Sequence, residues 1–128
     1  MDQYFRRYQL SHAGEITDEI RNNAKDLCDR VGCLLVDIGT RSVSLSSGWR
    51  PAEINAKIPN ASRKSLHMIG KAVDLIDTRE KELYTAIAAQ PHLLEKYGLW
   101  LEDGASTGGW VHLDTGDRRA RAVRIFKL

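Results

Sequence analysis

Two histidines and an aspartate stand where they could share a metal ion. His67 and Asp74 are joined by M-I-G-K-A-V, and His112 lies downstream in W-V-H-L-D. A catalytic zinc site takes three protein ligands from His, Asp, Glu or Cys and keeps one position open. Asp74 is the most informative of the three, because a carboxylate between Val73 and Leu75 is costly to bury unless it is paired or metal-bound. A salt bridge to Lys71 or to an arginine is the structural alternative. Either histidine taken alone is more often structural or solvated than a ligand. Arg50 follows Ser-Gly-Trp, and its guanidinium suits bidentate recognition of a carboxylate or a developing oxyanion. An arginine leaving a turn is most often only a surface residue. Ser65, just before His67, joins Arg50 as a substrate-binding candidate.

Strand alternation points to a base. In Trp110 to Asp114, Val111 and Leu113 share one side, which leaves Trp110, His112 and Asp114 on the other. Leu99 and Leu101 likewise share a face, with Trp100 and Glu102 opposite. If these two strands pair as a hairpin across Asp103 to Gly109, Glu102 and His112 lie on the same face. Glu102 is then the candidate that takes a proton from the attacking water. Asp114 suits a partner that orients a ligand.

The remaining elements must position these residues. Ile16, Ile20, Ala24, Leu27 and Val31 recur at helical steps, with charged residues between them. Ser11 with Gly14 and Glu15 is the expected entry to this helix and Gly32 its expected stop. Leu34 to Ile38 could be a second short helix or a strand. Val43 to Ser46 reads as a half-buried strand, Pro51 to Ala56 as a loop or short helix, Ile58 to Lys64 as an irregular connection, and Lys71 to Ile76 as a second strand. Asp77 or Thr78 can cap the next helix, which Pro91 ends, and a short helix from His92 to Tyr97 closes at Gly98. Tyr4, Phe5, Tyr8 and Leu10 can pack as an N-terminal arm. The expected whole is one α+β domain over residues 1–128, with a small antiparallel sheet carrying a zinc site and packed against helices.

Composition bounds the function classes. A formal net charge of +2 gives no argument for nucleic acid. Arg118, Arg119, Arg121, Arg124 and Lys127 nevertheless make the last segment basic, which would favour an anionic polymer such as a cell wall; the simpler reading is a solvated edge segment. No apolar run reaches the roughly 20 residues of a membrane span, and the N-terminus lacks a signal-peptide core. The chain is therefore expected to be made in the (host) cytoplasm, with another factor releasing it if its target lies outside. Cys28 and Cys33, placed across an expected helix end, match no zinc pair and are expected to be buried or partly buried free thiols. Oligomeric state is not legible.

Taken together, S-G-W-R at Ser47 to Arg50, S-L-H-M-I-G-K-A-V-D at Ser65 to Asp74 and W-V-H-L-D at Trp110 to Asp114 resemble the M15 family of zinc peptidases. That family includes D-alanyl-D-alanine carboxypeptidases, dipeptidases and phage endolysins that cut peptidoglycan peptides. The resemblance implies zinc ligands at His67, Asp74 and His112, a substrate-binding or oxyanion-stabilising Arg50, and an α+β fold whose small antiparallel sheet carries the site. Many members place the catalytic Glu or Asp three residues before the last histidine, and that position here is Gly109. Glu102 or, from the loop, Asp103 would then supply the base. The expected activity is hydrolysis of an amide bond in peptidoglycan stem peptides, after release to the wall or from a virion. The alternatives are a virion or wall-binding module with a structural zinc, and a cytoplasmic D-Ala-D-Ala dipeptidase.

Overall fold

The longest element begins at a capped threonine. In this computed structural model, which describes residues 2–40, 43–59, 64–117 and 124–127, helix α2 runs over Asp18–Asp37. The Thr17 hydroxyl accepts the Ile20 N–H at 3.2 Å, satisfying one of the donors that a helix start leaves open. The expected entry at Ser11 is therefore corrected: Ala13–Glu15 form a separate 3-10 turn. Gly32 does not stop the helix either. It lies inside α2, which absorbs Leu34 to Asp37 and ends before Gly39, whose φ is 81°. Ala24, Leu27, Val31 and Leu34 form the buried stripe of α2. Both cysteines sit on this one helix as free thiols, with Cys28 half-buried and Cys33 exposed, so Cys33 departs from the expected burial.

A preceding short helix, α1 (Asp2–Phe5), supplies the arm. Tyr4 and Phe5 are buried, while Leu10 stays in solvent. The Tyr4 hydroxyl donates to the Ala72 carbonyl at 2.7 Å, which ties the arm to the sheet.

The sheet is built from β1 (Leu45–Ser47), β2 (Ala72–Ile76), β3 (Trp100–Glu102), β4 (Trp110–Asp114) and β5 (Ile125–Phe126). Their spatial order is β1-β2-β4-β3-β5. All neighbours are antiparallel except β5, which adds parallel to β3. Part of the basic C-terminal segment is thus a strand rather than a solvated edge; residues 118–123 of that segment lie outside the described residues, as do residues 60–63 of the connection before Lys64. Helices α3 (Ala52–Lys57), α4 (Glu82–Ala88) and α5 (Pro91–Tyr97) complete the fold. Asp77 and Thr78 both serve the start of α4: the Asp77 carboxylate accepts Leu83 and Tyr84 N–H groups at 2.8 and 3.0 Å, and the Thr78 hydroxyl accepts Glu82 N–H at 3.1 Å.

Alternation divides the sheet into two faces. Val73, Leu75, Leu101, Val111 and Leu113 enter the core with Leu27 and Leu34 of α2, Ile87 of α4 and Leu94 of α5. This is the apolar side that drives folding, each fully buried branched side chain contributing about 2 kcal/mol. The opposite face carries Asp74, Glu102, His112 and Asp114. Among the described residues no helix is long and apolar enough to cross a membrane.

Candidate metal centre

The second face of the sheet is polar yet poorly exposed. Register places Asp74 of β2 opposite His112 of β4, and Trp100 of β3 opposite Asp114. Leu101 pairs with Leu113, and continuing that register one residue further sets Glu102 beside His112, on the face that alternation assigned to it. Asp74, Glu102 and Asp114 are all buried.

His67 reaches this face from outside the sheet. It sits in a 3-10 turn, Leu66–Ile69, whose start is capped by the Ser65 hydroxyl accepting the His67 N–H at 3.3 Å. Ser65 therefore holds the turn that presents the histidine. Gly70 ends the turn at φ 81°, and a Cβ there would stand 2.6 Å from the Ile20 carbonyl of α2. Only glycine permits both the left-handed backbone and that approach. Asn23 of α2 fastens the same turn by donating to the Ile69 carbonyl at 2.9 Å.

A bulge brings the arginine to the site. Leu45 pairs with Leu75, but Ser47 pairs with Asp74, so β1 carries one extra residue against β2. Ser47 thereby stands opposite Asp74, and the chain continues through Gly48 and Trp49 to Arg50. Arg50 Nε donates to Ser47 Oγ at 3.1 Å, Nη1 to Asn55 Oδ1 at 3.4 Å and Nη2 to Asp74 Oδ2 at 3.3 Å. Asp74 thus has an arginine partner, and it is Arg50 rather than Lys71. Gly48 is forced by space, since a Cβ there would lie 2.3 Å from the Tyr4 carbonyl.

The donors converge. One ligand atom from each of His67, Asp74 and His112 lies within 4.8 Å of the other two. His67 Nδ1 is 2.8 Å from the Gly48 carbonyl, which can only accept, so Nδ1 carries the proton. Its Nε2 then faces Asp74 Oδ2 at 3.4 Å. A lone pair facing a carboxylate is repulsive unless a cation, either a proton or a metal, lies between them. His112 shows the same need: Nδ1 is 2.9 Å from Asp74 Oδ1 and Nε2 is 2.8 Å from Asp114 Oδ2. Burial alone would lower its pKa, but the hydrogen bonds and charges of Asp114 and Asp74 outweigh burial and push it up to about 9. Asp74 moves the other way. Burial opposes its ionisation, yet hydrogen bonds from His112 and His67 and their charge hold the carboxyl well below its usual range.

This donor set fits zinc. It offers two imidazoles and a carboxylate, and donor atoms around a tetrahedral zinc stand about 3.4 Å apart, within easy reach of the spacing seen. Each imidazole also has its other nitrogen held, one by the Gly48 carbonyl and one by Asp114, as metal-binding histidines require.

The two base candidates differ in placement. Asp103 is drawn into the loop, where its Oδ1 accepts the Ala105 N–H at 2.8 Å. Glu102 shares the sheet face of His112. Gly109 has φ 88°, a conformation that an L side chain adopts only under strain, so a carboxylate at that position would strain the backbone seen here. Sequence reasoning missed Phe126, whose ring lies edge-on to His112 with centroids 5.9 Å apart. A two-residue strand leaves no periodic signal by which it could have been found.

Comparison with known proteins gives one match: the family model described as peptidase M15 aligns with residues 4–114. No curated protein and no solved structure matches the chain.

Proposed function

The chain belongs to the peptidase M15 family, and from that premise we propose that it is a zinc-dependent peptidase hydrolysing an amide bond in bacterial peptidoglycan stem peptides, as an endolysin or a carboxypeptidase. The observation that carries the reading is the convergence of His67, Asp74 and His112 on one face of the sheet, with both imidazoles anchored from behind. Zinc held by these three residues supplies Lewis acidity toward the scissile carbonyl and makes water more acidic. Glu102 is the proposed base: it accepts a proton from the attacking water and returns it to the leaving amine as the C–N bond breaks. Arg50 is the proposed clamp for the oxyanion or for a substrate carboxylate, since its three hydrogen bonds among the described residues use three of its five guanidinium N–H groups. Ser65, whose hydroxyl caps the His67 turn, is proposed to assist it in holding the substrate.

The surface beside the donors supports a peptide ligand. Ile76 and Trp110 pair across β2 and β4 on the site face and remain 52% and 36% exposed. They offer an apolar shelf next to Asp74 and His112, suited to the methyl groups of an alanine-rich peptide. The proposed setting is that of a phage-type lysin reaching the wall after release or from a virion, in keeping with the arginines of its C-terminal segment.

Digestion of purified peptidoglycan, followed by mass spectrometry of the fragments with and without a chelator, tests the reading and identifies the bond. Chelator-sensitive release of free amines is expected. Zinc binding without any amine release would instead indicate a wall-binding module, and cleavage of free D-Ala-D-Ala but not of intact wall would indicate a dipeptidase.

A further inference from the structure

The family match ends at Asp114, yet residues beyond it close the site face of the sheet. Phe126 of β5 is 3% exposed, and its ring meets His112 at an interplanar angle of 84°. In the β3–β5 ladder it is the residue opposite Glu102. Two main-chain bonds bracket that pair: Leu101 N–H donates to the Arg124 carbonyl at 2.9 Å and Asp103 N–H to the Phe126 carbonyl at 2.7 Å. Arg124 is itself anchored. Its Nε donates to the Leu99 carbonyl at 2.8 Å and its guanidinium lies 4.2 Å from the centre of the Trp100 ring.

We propose that β5 is a positioning element of the metal centre and that Phe126 is the residue through which it acts. This rests on the metal-site reading above. The two carboxylates on His112 restrain the imidazole only along its nitrogen axes. Two rings pack against the imidazole, His67 with centroids 5.5 Å away and Phe126 with centroids 5.9 Å away; the Phe126 ring adds the restraint from the β5 side and helps keep water from competing for those hydrogen bonds. The same strand fixes the backbone of Glu102, so one element sets both a donor and the proposed base. Phe126 acts through the imidazole it packs against, so its role is positioning.

Phe126→Ala and Phe126→Leu separate this role from simple folding. Zinc affinity is read by competition with a chromophoric chelator, and the His112 ring resonances are read by nitrogen-detected NMR on zinc-free protein. Loss of the ring should weaken zinc binding roughly 10-fold or more, the scale of outer-sphere substitutions at zinc sites. It should also shift and broaden the His112 signals and lower kcat on wall fragments more than it changes KM. If Phe126→Ala fails to fold, Phe126→Leu, which keeps the site apolar, gives the same readings at smaller amplitude. A folded variant with wild-type zinc affinity and an unchanged His112 spectrum would overturn the proposal. If wild-type protein binds zinc in a Phe126-dependent way but cuts no peptide, the peptidase reading fails and the positioning role stands.

Discussion

Both ring nitrogens of His112 face carboxylates, and this gives the metal-free protein a distinct pH dependence. Its folded pKa, pushed up to about 9, lies above the ordinary histidine value of 6.5. The protonated ring therefore contributes stability that is fully present below pH 6.5 and is lost as the pH rises through about 9. Asp74 is depressed below the ordinary aspartate value of 3.8, so its contribution is present above that value and lost in stronger acid. Thermal unfolding in the presence of chelator should show a Tm that is highest between these limits and falls from pH 6.5 toward 9. Asp114→Asn should flatten that fall, whereas an unchanged fall in this variant would remove Asp114 as its cause. Glu102 is predicted to act on chemistry alone. Glu102→Gln should leave zinc content intact and lower turnover by at least about 100-fold, the lower range for loss of a general base. Asp103→Asn, with its loop bond to Ala105 N–H largely kept, should turn over close to wild type. The reverse ranking in a steady-state amine-release assay would transfer the role to Asp103.

At the scale of elements, what the sequence disclosed depended on whether each element carried its own periodicity. The alternation of Val111 and Leu113 against His112 placed β4 correctly, and the same rule put Glu102 on the site face. The α2 stripe was equally plain from Ile20 to Val31. Its ends were not, because Thr17 caps through a single bond without the glutamate of a capping box, and Gly32 is tolerated within a helix whose other contacts compensate for it. The 3-10 turn bearing His67 and the bulge that sets Ser47 opposite Asp74 were hidden for a different reason. Both are defined by tertiary contacts, with α2 in one case and with β2 in the other. Gly70 is the joint between the turn and β2. Gly70→Ala would combine a positive φ with a 2.6 Å clash against the Ile20 carbonyl. A loss of roughly 1–3 kcal/mol in denaturant unfolding is expected, together with weaker zinc binding through displacement of His67. Wild-type stability would show that the turn is not held as described.

For the molecule as a whole, the sheet works as a partition. One face is filled by leucines, isoleucines and valines that bind it to α2, α4 and α5, and the other gathers three buried carboxylates around two histidines. The α+β class and the facing of Asp74 and His112 were legible because both follow from residue type and alternation, whereas His67 joined them through the motif S-L-H-M-I-G-K-A-V-D and the family it resembles. Closure by β5 was not, since its two residues are too few for alternation to show and pair in parallel with β3, from which β4 separates them along the chain. Such a partition places ionisable groups where only a cation makes them compatible, which is the central claim about this chain. Stepwise addition of zinc to chelator-treated protein, with amine release from purified peptidoglycan measured at each step, tests it most directly. Activity should be absent at the start, rise in proportion to added zinc and level off at one equivalent. Full activity in the chelated protein, or none at any zinc level, would contradict it.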